Sequence, residues 1–295
     1  MSNKSVSEQI ADLGRQAISF VGIEVIPKEI QHLLENDWKN PKVLDFFINN
    51  SEVCRILFKN PADFEMLEIA YFGKSVRGKT NGVDKFLGES LSGQALRDRL
   101  RVVSDMTANW LLNKQNIRVI DFGAGPAPYA IETIKKLQGQ VNNLLWRCLD
   151  LDRLALAIGR ERVADAGLDK IISFEEANFM SRDFYPESPD EQADFGLMIG
   201  ILCGMTCEEA TNCLRKVQPH FKKGGEIIAA TLLKQSFEED PQSFRIYCNV
   251  LNWQLRPKTT AEVRQVFENA GWKILNVSSE RANGNGQYAI VHAKL

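Results

Sequence analysis

The stretch Arg118-Val119-Ile120-Asp121-Phe122-Gly123-Ala124-Gly125-Pro126-Ala127-Pro128-Tyr129-Ala130 constrains the fold of this chain more than any other. Val119 and Ile120 read as the end of a buried strand, because a short apolar run bounded by turn residues suits a parallel sheet. Gly123 and Gly125 follow as a sharp turn whose backbone can lie against a ligand, since neither residue has a Cβ. Pro128 suits the first turn of a helix, where its missing N–H is not needed. Strand, glycine turn and helix in this order open the nucleotide-binding half of a doubly wound α/β domain.

The ligand class follows from the details. A dinucleotide fingerprint needs a glycine at the sixth place so that a pyrophosphate can rest on the helix N-terminus. Here that place holds Pro128, and Asp121 stands two residues before the first glycine. A carboxylate there repels a pyrophosphate and suits a cationic amine or sulfonium. The stretch resembles motif I of class I S-adenosylmethionine (SAM) methyltransferases, Asp/Glu-x-Gly-x-Gly-x-Gly, with Ala127 at the third glycine, where its methyl group is expected to tighten the approach to the cofactor. A tight βα turn in another α/β protein is the reading without chemistry.

Composition excludes more than it selects. With 295 residues, 44% of them hydrophobic, the chain can build one large domain with an appendage, or two unequal domains. A net charge of −2 gives no reason to expect nucleic acid or an anionic membrane as a partner. No apolar run approaches the ~18–20 residues of a membrane span, and the polar start does not resemble a signal peptide. Six cysteines, at 54, 148, 203, 207, 213 and 248, show neither C-x-x-C nor a small secreted framework. Reduced thiols in a cytoplasmic protein are the expectation.

Residues 1–91 read as a helical cap, lid or dimerisation region. Ser5 and Ser7 can cap a helix bearing Ile10, Leu13 and Ala17, Pro27 opens a second, Pro41 a third, and another follows Pro61. Residues 73–82, with three glycines and three basic residues, form either a solvated linker or a loop that closes over an acidic substrate. A long helix over residues 92–112 places Arg97 and Arg101 one turn apart, as a wet face or as substrate contacts.

From residue 92 to 295 strands and helices alternate. Strands are expected at 144–149, 171–174, 195–201 and 227–233, with helices at 154–166, 207–220 and 261–270. Two further strands, 273–277 and 288–292, then follow with only a Gly/Asn turn (283–286) near their junction, so they pair antiparallel. The predicted fold is α/β, a doubly wound, mostly parallel seven-stranded sheet with an antiparallel C-terminal hairpin. This topology resembles the methyltransferase sheet and differs from a six-stranded NAD domain. The run Leu255-Arg256-Pro257-Lys258-Thr259-Thr260, leading to Ala270-Gly271-Trp272, resembles the tail of many small-molecule methyltransferases.

The resemblance implies a cofactor site. Asp121 would orient the methionine amine, and Gly123 and Gly125 would bring backbone against the cofactor. Asp150, at the end of the second strand, would accept from both ribose hydroxyls, a charge-assisted contact, with Leu151 beside it. Asp152 either shares the ribose or caps the following helix. Asn178 and Phe179 would hold the adenine, unless Asn178 only makes a turn. Gly200 and Met205, where the fourth strand ends, would border the methionine half and the acceptor. Tyr247, Arg245 and Trp253 in the 234–258 insertion are candidates for the acceptor side, Tyr247 and Arg245 for catalysis; the insertion otherwise packs as an extra helix. No metal is expected: Cys203 and Cys207 read as core packing, since two thiols without a third ligand are no site. His220 and His292 read as structural.

The expected activity is SN2 transfer of the SAM methyl group to an oxygen, less readily a nitrogen, of a small molecule, releasing S-adenosylhomocysteine (SAH). Methylation of a protein or RNA, and a non-catalytic binding protein of this fold, remain open alternatives. A homodimer through the N-terminal helices is a further option.

Overall fold

The computed structural model describes residues 19–20, 23–282 and 284–295. The expected first helix and Asn283 lie outside these residues. The chain divides into two compact units: the described residues up to Arg97 together with Lys234–Leu255, and Asp98–Leu233 together with Arg256–Leu295.

The second unit is built on a seven-stranded sheet. Its strands are β3 (Gln115–Phe122), β4 (Asn142–Asp150), β5 (Ile172–Glu176), β6 (Ala193–Ile199), β7 (Phe221–Leu232), β8 (Lys273–Ser279) and β9 (Tyr288–Lys294), in spatial order β5-β4-β3-β6-β7-β9-β8. β3 pairs in parallel with both β4 and β6, and only β9 runs against its neighbours. The predicted sheet and its terminal hairpin are therefore present. The chain winds outward from β3 on one side and then returns to build the other, so the order reverses between β3 and β6, where ligands bind in such sheets.

Alternation along the strands divides the core into two layers. Ile120 and Phe122 face one layer with Ala210, Leu214, Val263 and Phe267 of the helices Cys207–Val217 and Thr260–Asn269. Val119, Trp146 and Phe195 face the other with Val103, Leu111, Ala130 and Leu137 of the helices Leu91–Leu111 and Pro128–Leu137. Both faces of the sheet are thus covered, which is why Val119, Ile120 and Phe122 near the end of β3 are all apolar.

The first unit is helical. It contains Lys28–Asn36, Pro41–Asn50, Glu52–Lys59, Glu65–Phe72 and Gly82–Glu89, besides two-residue strands β1 (Ser19–Phe20) and β2 (Ile23–Glu24). The helix Gly82–Glu89 starts where a loop is expected, held by an Asn81–Asp84 capping box. The basic segment before it is pinned: Glu65 accepts from the backbone N–H groups of Val76 and Arg77, and Arg77 pairs with Asp63 at 2.6 Å. Arg97 is likewise engaged, donating to the carbonyls of Ala70 and Gly88 at 2.9 and 2.6 Å. The insertion contributes short helices Gln235–Glu239 and Pro241–Arg245 and a π-helical turn, Ile246–Val250. Asp240 ties it to this unit by accepting from Ser92 N–H at 2.9 Å. Among the described residues, no helix is long and apolar enough to cross a membrane.

Candidate cofactor site

The turn after β3 is anchored on β4. The N–H groups of Gly123 and Ala124 both donate to Leu149 O, at 2.8 and 3.0 Å. Gly123, Gly125 and Ala127 all have positive φ, +65°, +55° and +56°. At Gly123 a Cβ would run into the end of the Ile201 side chain, which would have to shift. At Gly125 a Cβ would meet nothing within 4 Å, so the backbone there borders open space. Ala127 sits fully buried in the apolar layer with Val119 and Ala130. The departure from the motif is therefore a conformational cost, about 1–2 kcal/mol for a left-handed alanine, borne inside the core, and not the methyl group against the cofactor expected from the sequence.

Two carboxylates flank this turn. Asp150 accepts from Gly125 N–H with Oδ2 at 2.7 Å and from Asp152 N–H with Oδ1 at 2.8 Å. Asp152 caps the helix Arg153–Asp165 by accepting from Leu154 and Ala155, so the capping reading holds for it. Asp121 is buried, and its Oδ2 has no hydrogen-bond partner among the described residues. Burial, reinforced by the charge of Asp150 and opposed by the Trp146 indole, pushes its carboxyl up to about 8. The site thus holds one carboxylate braced by amides and one whose Oδ2 has no hydrogen-bond partner among the described residues. Leu151 beside them is a large apolar side chain left 65% exposed.

Beyond β5, Asn178 is exposed and its Oδ1 accepts from Met180 N–H at 3.1 Å, so its side chain makes a turn. Phe179 is half-buried, its ring edge-on to Phe122 at 5.2 Å. Gly200 leaves β6 with φ +87° and opens the short turn Ile201–Gly204. Lys258 clamps this turn, its Nζ donating to the carbonyls of Leu202, Met205 and Arg256 at 2.9, 2.7 and 2.9 Å. Arg256 N–H adds a bond to Cys203 O at 2.7 Å. The Arg-Pro-Lys-Thr run thereby finds a physical role.

One buried charged residue near Gly200 escapes the sequence reading. Arg99, 2% exposed, donates from Nε to the Tyr129 hydroxyl at 3.0 Å and lies over the Tyr288 ring at 4.4 Å. A Cβ on Gly200 would stand 3.8 Å from its Nη1. The only advance signal is its place two residues along the helix from Arg97, on the opposite face.

Tyr247, Arg245 and Trp253 belong to the helical unit, where Tyr247 is buried, donates to Met66 Sδ at 3.5 Å and meets the Phe244 and Trp253 rings edge-on. Cys203 is buried as expected, whereas Cys207 is exposed at the start of the Cys207–Val217 helix; the two stand on different elements. His220 is buried, with its ring against Phe122 and Tyr185, and burial holds its pKa below the usual value. His292 pairs with Glu226 at 2.7 Å. Among the described residues, no group of three side chains is arranged to hold a metal ion.

Comparison with known proteins gives this geometry a lineage. A family model described as "Putative methyltransferase" matches residues 73–281. No curated protein matches the chain. Among solved structures, a protein of Bordetella parapertussis described as a possible exported protein is 18% identical, covering 99% of this chain and 97% of that one, with a TM-score of 0.66. The magnesium protoporphyrin IX methyltransferase of Synechocystis PCC 6803, solved with bound SAH, is 13% identical over 82% of this chain and 97% of that one, with a TM-score of 0.56. An O-methyltransferase family protein from Burkholderia thailandensis is 16% identical over 90% of this chain and 70% of that one, at 0.54. With the family match spanning well over half of its length, on a sheet of this order and polarity, the chain belongs to that methyltransferase family and has the Rossmann-like fold of the class I SAM-dependent enzymes.

Proposed function

We propose that the protein transfers a methyl group from SAM to an oxygen, less readily to a nitrogen, of a small-molecule acceptor. The observation that carries this reading is the Asp121 carboxyl, buried with an Oδ2 that has no partner among the described residues, beside the open turn at Gly125. A buried polar atom without a partner costs about 1–3 kcal/mol, and the methionine ammonium of SAM would recover that cost. Asp150 would accept from the ribose hydroxyls, since each of its oxygens retains a lone pair beyond its amide bond. Leu151, Asn178 and Phe179 would border the adenine, and Gly200 and Met205 the methyl acceptor. The donor set therefore fits the cofactor.

Bound there, SAM would supply a methyl group on cationic sulfur, already activated for in-line displacement. The remaining work of the chain is to orient the acceptor and exclude water. Holding the reacting atoms in line can supply roughly 7–11 kcal/mol, against about 3–5 kcal/mol from a general base. Positioning is thus the larger effect, and it favours acceptors that ionise readily, such as carboxylates, phenols or enols.

Calorimetric titration with SAH tests the reading. Wild type is expected to bind at micromolar concentration and Asp150→Ala at least about tenfold more weakly. Absence of binding, or binding indifferent to Asp150, would sink the proposal. Transfer of labelled methyl groups to a panel of carboxylates, phenols, enols and amines then decides the acceptor atom.

A further inference from the structure

A cleft of about 560 Å³ lies at the far end of the sheet from the glycine turn, where β3 and β4 begin and the chain enters β5. Its size falls in the range of small-molecule pockets, roughly 300–1,000 Å³. Arg118 on its wall precedes Gly123 along β3 by roughly 16 Å of extended strand. The cleft is therefore separate from the proposed cofactor site.

Most of its lining is apolar. Ile134 and Leu137 come from the last turn of the helix Pro128–Leu137, Val141 from the loop that leads into β4, and Leu145 from β4 itself. Leu145 is the unusual member. β4 lies inside the sheet, parallel to both β5 and β3, where side chains on either face are normally covered. Its neighbours Leu144 and Trp146 are buried, yet Leu145 is 47% exposed. Apolar surface gathered in one concavity beside an interior strand points to a ligand that covers it.

The charged part of the lining has one sign. Arg118, opposite Leu145 in the β3–β4 register, and Lys170, in the turn before β5, both line the cleft, and none of the described residues lining it is acidic. Asp194 accepts from the Arg118 backbone N–H at 2.9 Å, but it pairs its other oxygen with Lys222 at 2.7 Å and leaves the guanidinium aside. Asn116 and Asn143, joined Nδ2 to Oδ1 at 2.9 Å, extend the polar wall without adding charge.

We infer that this cleft binds a small amphipathic carboxylate, its chain against Ile134, Leu137 and Leu145 and its head on Arg118 and Lys170. The planar fork of Arg118 can take both carboxylate oxygens, and the chain removes the exposed surface of Leu145 from water. A small hydrophilic anion would leave the apolar wall uncovered, and an amine would meet charges of its own sign. The inference does not rest on the SAM reading, because none of these residues belongs to the cofactor site.

Calorimetric titration of the full chain with octanoate and with octylamine, which share a chain and differ in the sign of the head, tests it. Wild type should bind octanoate saturably with a Kd below about 1 mM, and octylamine at least about fivefold more weakly. The double variant Arg118→Met, Lys170→Met keeps the aliphatic stems and should lose that preference. Leu145→Gln should weaken octanoate at least about threefold. All three side chains are exposed, so the variants should unfold at the wild-type temperature. Octanoate binding that never saturates, or octylamine bound as tightly by wild type, would overturn the inference. So would an octanoate affinity untouched by either variant, the result expected if octanoate entered the methyl-acceptor site instead. Saturating SAH should leave octanoate binding unchanged, and competition between the two would also count against the cleft.

Discussion

Asp121 links the chemistry of the site to the stability of the fold. Its carboxyl, pushed up to about 8 by burial and by Asp150, holds a proton in the folded chain that an unfolded aspartate releases near pH 4. Between those values the folded state binds more protons, so stability falls as pH rises through the window from about 4 to 8 and is unaffected below it. Asp121→Asn, which cannot ionise, should match wild type near pH 4 and exceed it by at least about 1 kcal/mol at pH 9. Urea unfolding at the two pH values checks this, and a wild-type advantage at pH 9 would refute it. The same substitution should abolish or strongly weaken SAH binding, a gain in stability with a loss of function. Asp121 stands out in the sequence through its place two residues before the first glycine of a stretch that resembles motif I. The burial of Arg99 does not, because which face of a long helix is buried depends on residues far away in sequence.

At the scale of elements, the sheet was readable because apolar strands and amphipathic helices alternate with turn residues between them. Strand ends shifted by a few residues, since the glycine-containing start of β7 pairs through a bulge with β6 that periodicity cannot reveal. The helix Gly82–Glu89 does not stand out although its Asn81–Asp84 box is a sequence signal, because the glycine-containing, basic segment that leads into it suggests a loop. The segment 255–260 shows no structural reason in its sequence, and Lys258 supplies one. One ammonium satisfies three carbonyls around the turn after β6, one of them that of Met205, and burial lowers its pKa. Lys258→Met keeps the buried stem and leaves those carbonyls without their donor. The expected cost is about 2–3 kcal/mol in urea unfolding, accompanied by weaker SAH binding as the turn at Gly200 loosens. A variant as stable as wild type would show that the turn holds itself.

For the whole molecule, the chain passes from the helical unit to the sheet unit, returns to the helical unit for Lys234–Leu255, and leaves again. A linear division into cap and core, natural from the sequence, misses this return because the contacts responsible join residues more than a hundred positions apart. Asp240 accepts from Ser92, and Tyr247 donates to Met66. The insertion buries Phe244, Ile246, Tyr247, Val250 and Leu251, too many apolar side chains for so short an excursion to cover by itself. Its order must therefore depend on the N-terminal helices. A chain lacking residues 1–90 should keep its sheet and lose the fold of the insertion, because local stability follows buried contacts. Trypsin would then cleave after Lys234 and Arg245 at least about tenfold faster than in the full chain, while sites in the sheet unit keep their protection. Equal protection of the insertion in both chains would mean that it folds without the N-terminal helices, and the helical segment could then be exchanged without disturbing it.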